Sequence, residues 1–386
     1  MKSAFIPGND IELLENGVAY FPALVEAIDR ARSEIYLETY IFERDDTGMR
    51  IAGALQRAVR RGVVVRVLVD GFGAAEFPEK LLPELIRVGA EVLIYRPEIA
   101  RFSFRRHRLR RLHRKIAVID ARVAFVGGIN IIDDAHAPHH TSPRYDYAVR
   151  IEGPLLAPIH QSSRRLWELV TWANFKRRFR VLAVPTVAVE RRGHIRAAFV
   201  IRDNVRHRRD IEDAYLAAIG SATREVILAN AYFLPGRRFR RALHQAAARG
   251  VRVIILLQGR VEYALLHYAT QALYGSLLAA DIRIFEYHRS FLHAKVAVVD
   301  QQWATVGSSN IDPFSLLLAR EANVVVHDEG FAAALRTSLQ RAMREGAAEL
   351  EQEEWKRKPL FHRIRRWLAY GLLRMLIGLA GYGGKH

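Results

Sequence analysis

One pattern occurs twice in this chain, first as His113-Arg-Lys-Ile-Ala-Val-Ile-Asp120 and again as His293-Ala-Lys-Val-Ala-Val-Val-Asp300. Each copy is followed by a turn of small residues that ends in asparagine, Gly127-Gly-Ile-Asn130 and Gly307-Ser-Ser-Asn310. The offset is 180 residues at the histidine, lysine, aspartate, first glycine and asparagine alike. Two copies in register over an 18-residue window indicate an internal duplication.

The residue types in this pattern point to phosphate chemistry. The apolar residues after each lysine predict a buried strand. Residues two apart on a strand share a face, so His113 and Lys115 point the same way, as do His293 and Lys295. A neutral imidazole can act as nucleophile or proton carrier near pH 7, and a lysine holds a phosphate oxygen as a point charge. The small-residue turns let backbone N–H groups approach an anion closely.

Two such sets facing each other would surround one phosphoryl group with two histidines, two lysines and two amides. That arrangement suits a double displacement, in which one histidine attacks phosphorus and the other protonates the leaving oxygen. The lysines and amides would carry the electrostatic load, so we expect neither a metal nor another cofactor. The competing interpretation, that each histidine only fills a strand end, does not explain why both polar sets repeat in register.

The pattern resembles the signature of the phospholipase D superfamily, H-x-K-x4-D followed by G-x-x-N, in two copies. The resemblance implies a mixed α/β fold of two duplicated α-β-α sandwich units, related by a pseudo-two-fold axis and sharing one active site. It also implies a covalent phosphohistidine, with His113 as the favoured nucleophile and His293 as the acid/base; the residues themselves leave that order open. Phosphate binding would fall to Lys115, Lys295, Asn130 and Asn310.

The same resemblance implies roles for the remaining site residues. Asp120 and Asp300 belong to the catalytic signature but look structural rather than chemical. The family places an acid downstream of each motif to orient a histidine. Glu321 fits that role, and Asp146 fits less tightly, with a surface charge as the alternative. Ser308 would add a phosphate-binding hydroxyl that the Gly-Gly turn of the first copy lacks, so the halves are not equivalent.

Composition favours negatively charged partners. The 386 residues, half of them hydrophobic, suit two domains or one duplicated unit. Cysteine is absent, which excludes disulfides, thiol catalysis and cysteine-ligated metal. The net charge of +18 favours nucleic acid or an anionic bilayer as partner. The N-terminus has no signal-peptide core, and no apolar run is long enough for a transmembrane helix.

Further repeats extend the duplication and suggest the domain limits. Glu225-Val-Ile-Leu matches Glu34-Ile-Tyr-Leu at an offset of 191, and Arg249-Gly250 matches Arg61-Gly62 at an offset of 188. We therefore predict a first unit with a linker helix over residues 1–184, a second unit over 185–345 and a basic amphipathic tail over 346–386.

Two basic segments are predicted to contact lipid. The loop before His113 interleaves cations with apolar residues, and we expect it to bind anionic headgroups through Arg105, Arg106, Arg108 and Arg110. A solvated basic loop is the alternative. The tail carries apolar residues at helical spacing, among them Trp367, and is typical of an interfacial helix. The alternative is a helix docked on the protein's own surface or on a second subunit.

Other stretches resemble bacterial cardiolipin synthases, in the branch without N-terminal transmembrane helices. The resemblance covers roughly residues 8–345 and includes Glu38-Thr-Tyr-Ile-Phe42, Ala229-Asn-Ala-Tyr-Phe-Leu-Pro-Gly236 and Trp303-Ala-Thr-Val-Gly-Ser-Ser-Asn-Ile-Asp-Pro-Phe-Ser315. It implies transfer of a phosphatidyl group from phosphatidylglycerol to a second phosphatidylglycerol, on the cytoplasmic face of the bacterial inner membrane. Phosphatidylethanolamine as donor and free glycerol as acceptor stay open.

Three rival functions remain at this point. A phospholipase D-type hydrolase would use the same residues with water as acceptor. A metal-independent nuclease would fit the positive charge equally well, but the amphipathic tail and the synthase-like stretches speak against nucleic acid. A membrane-binding scaffold with a dead site is disfavoured because all eight motif residues are present. The sequence gives no indication of oligomeric state.

Overall fold

The computed structural model describes residues 4–96, 110–134, 143–174, 190–357 and 359–377. One 15-stranded sheet, to which both halves of the chain contribute, forms its centre. The elements of the first half are β1 (Ile6–Glu15), α1 (Asn16–Arg30), β2 (Glu34–Thr39), α2 (Asp46–Arg60), β3 (Val64–Asp70), α3 (Phe77–Lys80), α4 (Leu82–Arg87), β4 (Glu91–Tyr95), β5 (Lys115–Ile119), β6 (Val123–Gly127), β7 (Arg144–Tyr145), β8 (Tyr147–Glu152) and α5 (Leu156–Ala173).

The second half repeats this order with additions at its end. Its elements are β9 (Ile195–Arg202), α6 (Asp210–Ser221), β10 (Glu225–Asn230), α7 (Arg237–Ala248), β11 (Arg252–Gln258), α8 (Ala264–Leu278), β12 (Arg283–Tyr287), β13 (Phe291–Leu292), β14 (Lys295–Val299), β15 (Trp303–Gly307), α9 (Pro313–Leu317), β16 (Glu321–His327), α10 (Glu329–Gly346), β17 (Ala347–Glu349), α11 (Gln352–Arg357) and α12 (Leu360–Ile377).

The strand order is the same when it is followed outward from the centre of the sheet in either direction. One side runs β1-β8-β6-β5-β2-β3-β4, and the other runs β9-β16-β15-β14-β10-β11-β12, with β17 added at the edge. At the centre β1 and β9 pair antiparallel. The buried side chain of Asn9 strengthens this junction, because its amide donates to the Ile195 carbonyl at 3.1 Å and its oxygen accepts from the Leu155 N–H at 2.7 Å.

Apolar cores cover both faces of each half of the sheet. One face of both halves shares a single apolar core, which also receives α5 and α10. The opposite face of the first half packs under α1 and α2, and that of the second half under α6, α7 and α8. Parallel strands buried on both faces, such as β3 and β11, are accordingly almost continuously apolar.

The motif aspartates lie at the end of their strands that is remote from the histidines. Asp120 follows β5 and accepts hydrogen bonds from the backbone N–H groups of residues 32–34 at 2.7–3.0 Å. Asp300 follows β14 and accepts from those of residues 223–225 at 2.8–2.9 Å. Each carboxylate thus ties the end of its strand to the start of the neighbouring strand, β2 or β10. This placement agrees with a structural rather than a chemical role.

The predicted mixed α/β fold of two duplicated units is confirmed. The proposed limit between residues 184 and 185 lies outside the described residues and stays a prediction. At the end of the second half, β17 pairs with β12 and so extends the sheet beyond residue 345. Within the described chain, no helix is both long and apolar enough to cross a membrane.

Candidate active site

Each motif histidine lies just before a strand and is held there by the other half of the chain. The backbone N–H of His113, before β5, donates to the Arg320 carbonyl at 3.0 Å. The backbone N–H of His293, before β14, donates to the Tyr145 carbonyl at 2.8 Å, next to the parallel pairing of β13 with β7. Each histidine therefore lies opposite the residue that precedes an acid of the other half.

Those two acids bind the histidine rings. His113 Nδ1 lies 3.0 and 3.1 Å from the carboxylate oxygens of Glu321, and His293 Nδ1 lies 2.6 Å from Asp146 Oδ2. Asp146 is buried, so it is not a surface charge. With Nδ1 engaged, Nε2 is the ring nitrogen left for a substrate. The side chains of His113 and His293 keep 16% and 10% of their surface exposed.

The turns after β6 and β15 support the two acids differently. The Ser308 hydroxyl donates to Glu321 Oε2 at 2.5 Å and accepts from the Ala322 N–H at 3.0 Å. The structure thus gives this hydroxyl partners other than the predicted phosphate. Gly128 occupies the matching position in the first half, where an added Cβ would lie 2.6 Å from Asp146 Oδ2. The second half therefore stabilises Glu321 with the Ser308 hydroxyl. The first half instead has a glycine, which leaves space for the Asp146 carboxylate.

The motif lysines are buried beside the histidines. Lys115 Nζ donates to the His113 carbonyl at 2.8 Å, and Lys295 Nζ donates to the His293 carbonyl. Lys295 Nζ also lies 3.7 Å from Asp146 Oδ2. Both ammonium groups have donors left for a phosphate oxygen, since an ammonium group carries three N–H bonds.

The two motif asparagines are also buried, at the ends of their turns. Asn130 Oδ1 accepts from the Ile41 N–H at 3.3 Å. Asn310 Oδ1 has no hydrogen-bond partner within the described part of the chain. A buried polar atom without a partner costs stability. This oxygen can only accept a hydrogen bond, so the phosphate contact predicted for Asn310 would have to come from its Nδ2.

Three groups that were not predicted from the sequence lie close to the motif residues. The Tyr40 ring lies edge-on to His113 with 4.9 Å between centroids, and its centroid is 5.4 Å from Lys115 Nζ. Phe291 stacks near His293 with 6.0 Å between centroids. The Arg144 guanidinium lies 5.6 Å from the centroid of Phe291. Tyr40 belongs to the Glu-Thr-Tyr-Ile-Phe stretch and Arg144 lies two residues before Asp146, but neither position is part of the histidine motif.

Of the five residues predicted to contact lipid, the structure describes two, Arg110 and Trp367. Arg105, Arg106 and Arg108 lie outside the described residues. Arg110 is partly buried, and its Nε has no hydrogen-bond partner in the described chain. Trp367 lies on α12, where its side chain is exposed.

Burial sets the protonation of the site. It lowers the pKa of Lys115 to about 7 and that of Lys295 to about 8. Burial also lowers the pKa of His113, and it lowers that of His293 well below its ordinary value, with Lys295 and Arg144 acting in the same direction. The pKa of Asp146 is raised by burial to about 6. Both imidazoles are therefore neutral near pH 7, as a nucleophile must be.

The arrangement can bind and transfer a phosphoryl group. Two neutral imidazoles, each oriented by a carboxylate, face a cluster of cations in a site largely closed to water. Charges in such a site act more strongly than in water. Among the described residues, no group of three or more histidine, aspartate or glutamate side chains could hold a metal ion.

Comparisons with known proteins identify relatives over the whole chain. A family described as "Cardiolipin synthase, PLD-like domain" matches residues 24–167 and 215–343. Cardiolipin synthase B of Escherichia coli (strain K12) is 39% identical, over 100% of this chain and 93% of that protein. The major cardiolipin synthase ClsA of Bacillus subtilis (strain 168) is 27% identical, over 94% of this chain and 74% of that protein.

Solved structures show the same fold at low sequence identity. Phosphatidylserine synthase of Haemophilus influenzae Rd KW20 superimposes with a TM-score of 0.72 at 14% identity, covering 98% of this chain and 95% of that chain.

Replacing Gly128 by alanine tests the steric fit at Asp146. The new Cβ would displace the carboxylate from His293 Nδ1, and we expect kcat for a phosphodiester to fall about a hundredfold, the size associated with misplacing a catalytic group by about 1 Å. The matched control is Ser308→Ala, which keeps the Cβ and loses the hydroxyl's bonds to Glu321 and to the Ala322 N–H, and should lower kcat severalfold. Steady-state kinetics and thermal unfolding of both variants provide the measurement. Equal losses in the two variants would contradict this account.

The lowered lysine pKa values predict an activity profile displaced toward acid. Lys115 and Lys295 are cationic below their pKa values, so kcat/KM should fall as pH rises through about 7 to 8. On the acid side it should rise as His113 loses its proton, below the ordinary histidine pKa of about 6.5. Bound phosphate favours the ammonium form, so the alkaline fall of kcat should lie at higher pH than that of kcat/KM. A kcat/KM that stays constant to about pH 9.5, above both lysine values, would disprove this assignment.

Proposed function

Because this chain belongs to the cardiolipin synthase family of the phospholipase D superfamily, and is a phosphatidyltransferase that makes cardiolipin, we propose that His113 carries the phosphatidyl group between donor and acceptor. The observation that supports this assignment is the reciprocal pairing of His113 with Glu321 and of His293 with Asp146 across the two halves. Each imidazole is fixed through Nδ1, so both Nε2 atoms can act on one phosphorus.

The reaction then proceeds in two displacements. His113 Nε2 attacks the phosphorus of phosphatidylglycerol, the bond to the leaving glycerol oxygen breaks, and His293 gives that oxygen a proton. A hydroxyl of a second phosphatidylglycerol then gives its proton to His293 and attacks phosphorus, while the bond from phosphorus to His113 breaks. The phosphodiester charge between the lysines raises the pKa of a nearby imidazole, which enables His293 to hold the proton with substrate bound.

The order of the two histidines rests on two features. The His113 side chain is the more exposed of the two, which suits a nucleophile that must reach phosphorus. The pKa of His293 is lowered by more neighbouring cations, so its proton is held loosely and is easily passed to a leaving oxygen. Lys115, Lys295, Asn130 and Asn310 are proposed to bind the phosphate oxygens.

An assay of purified protein with chelator present tests the function. Phosphatidylglycerol vesicles should yield cardiolipin and glycerol, whereas His113→Asn and His293→Asn should lower the rate by at least about a thousandfold. Quenching during turnover should reveal phospholipid bound to protein in His293→Asn but not in His113→Asn. The opposite pattern would reverse the order of the histidines.

The other products identify the rival functions. Phosphatidic acid without cardiolipin would mean hydrolysis. Cleavage of single- or double-stranded oligonucleotides with untouched lipid would mean a nuclease.

We further propose that α12 contacts the lipid surface. One of its faces packs on α8, and Leu373 is buried there. Arg366 stacks over the ring of Trp355, on α11, at 4.0 Å from its centroid. The opposite face leaves a continuous apolar stripe in solvent, formed by Phe361, Ile364, Leu368, Leu372 and Met375. Leu368 and Phe361 are 68% and 70% exposed. The helix is therefore docked on the protein and also presents an apolar face, which suits shallow insertion into an anionic bilayer.

Replacing Phe361, Leu368 and Leu372 together by serine should weaken binding to vesicles that contain phosphatidylglycerol about tenfold or more, because less apolar surface enters the bilayer. Val18→Ser on α1 removes an equally exposed apolar side chain elsewhere and should leave binding unchanged. Sedimentation with vesicles measures both. Unchanged binding of the triple variant would refute the proposal, and a concentration-dependent dimer that only the wild type forms would assign the stripe to a second copy instead. Attachment to the cytoplasmic face of the inner membrane stays a prediction.

A further inference from the structure

A recess beside His293 contains polar groups that the transfer mechanism does not use. It is small and partly open to solvent, and it lies between the end of β10, the loop after β11 and α8. Ala231, in its wall, donates its backbone N–H to the carbonyl of Ala294, the residue after His293. The Glu262 carboxylate, also in the wall, is one of the charges that act on Lys295. The recess is therefore adjacent to the catalytic site on the His293 side.

Gln258 provides a buried donor that faces this recess. Its side chain is 7% exposed, and its Nε2 has no hydrogen-bond partner in the described chain. The orientation of the amide is determined, because its oxygen accepts from the Arg260 N–H at 3.2 Å and an N–H group can only donate. The amide nitrogen is therefore the group left without a partner, in a residue that lines the recess, and leaving it unpaired costs stability.

The matching position in the first half has no such free group. Asp70 ends β3 as Gln258 ends β11, and its carboxylate accepts three backbone hydrogen bonds, from Phe72 and Gly73 and from Leu112 at 2.8 Å. In the first half, backbone N–H groups therefore satisfy the Asp70 carboxylate. In the second half, Nε2 of Gln258 is left without a hydrogen bond. The asymmetry points to a ligand that occupies only the second half.

Glu262 provides an acceptor in the same recess. Its carboxylate accepts from the Tyr232 hydroxyl, and the Tyr232 ring packs against Tyr263 with 5.6 Å between centroids. Burial and Glu262 raise the pKa of Tyr232 well above its ordinary value, so this hydroxyl keeps its proton and its role as donor. The carboxylate is thus held in place with lone pairs left for a hydroxyl group of a ligand.

We propose that this recess recognises an uncharged vicinal diol, the glycerol that leaves the donor lipid and the glycerol headgroup of the incoming lipid, through Gln258 and Glu262. The inference rests on the proposed transferase function. A hydroxyl both donates and accepts, so a diol can satisfy the Gln258 amide and the Glu262 carboxylate together. An ammonium headgroup only donates, and it would leave the Gln258 Nε2 unpaired while lying near the cations Lys295 and Arg144.

The placement of the recess fits the reaction. The departing alcohol and the incoming alcohol use the same side of the phosphorus, where His293 exchanges a proton with their oxygen. While the terminal hydroxyl of the diol reacts, its neighbouring hydroxyl lies one carbon away and can reach the recess. Recognition of that second hydroxyl would favour glycerol-type alcohols over water and simple alcohols at the transfer step.

Competition between two acceptors provides the test. The donor is phosphatidyl-p-nitrophenol in mixed micelles, whose leaving group carries no diol, and glycerol and 1-propanol are supplied together at equal concentration. Wild-type protein should form more phosphatidylglycerol than phosphatidylpropanol. In Gln258→Leu the product ratio should move toward propanol by about tenfold, the size expected for one lost hydrogen bond, while nitrophenol release is largely kept. The ratio is independent of the fraction of protein that is folded.

Thr270→Val is the matched control. Thr270 also lines the recess, but its hydroxyl already donates to the Leu266 carbonyl at 2.9 Å, so the ratio should not change. An unchanged ratio in Gln258→Leu would overturn the proposal, as would equal losses of both products. Ethanolamine outcompeting glycerol in the wild type would also overturn it, in favour of an amine. If the wild type forms neither alcohol product, the transferase function itself fails, and this inference fails with it.

Discussion

Two backbone hydrogen bonds between the halves determine the active site. The N–H of His113 bonds to the carbonyl before Glu321, and the N–H of His293 bonds to the carbonyl before Asp146. Because a backbone contact fixes the neighbouring side chains as well, each imidazole meets a carboxylate of the opposite half. Neither half holds a complete set of groups, so the site forms only when the shared core brings both halves together.

This exchange has an electrostatic consequence. Two lysines, two histidines and two acids are buried in one small volume, where an unpaired charge would be costly. Burial lowers the pKa values of Lys115 and Lys295 and raises that of Asp146, so the neutral forms of these groups are favoured. Without substrate the site therefore carries less charge than its composition suggests. In the proposed mechanism a phosphodiester anion provides the counter-charge under which both lysines are cationic.

The duplication made much of the fold predictable from sequence. Strands that are buried on both faces read as apolar runs, and their recurrence at offsets of 180 to 191 located both half-sheets. The same repeat indicated the two histidines, the two lysines and the aspartates. Contacts over long sequence separations were not accessible in this way. No local pattern reveals that Glu321 meets His113 rather than His293, or that Gly128 makes room for Asp146.

Other parts of the site could not be predicted, because their roles depend on contacts between residues that are far apart in the sequence. Tyr40, just after β2, and Arg144, on β7, belong to no histidine motif and gain importance only from the fold around them. The free amide of Gln258 stands out only by comparison with the fully bonded Asp70. The apolar spacing of the tail predicts an amphipathic helix, but the sequence could not reveal that α12 would use one face for docking and leave the other in solvent.

The antiparallel contact of β1 with β9 joins two similar half-sheets as the subunits of a symmetric dimer would be joined. In such a dimer one gene would encode both turns, so glycine and serine could not stand at the two equivalent positions. Fusion into a single chain removes that restriction. Gly128 and Ser308 could then diverge, as could Asp70 and Gln258. The different surroundings of the two histidines are differences of a kind that a symmetric dimer of one gene product cannot accumulate.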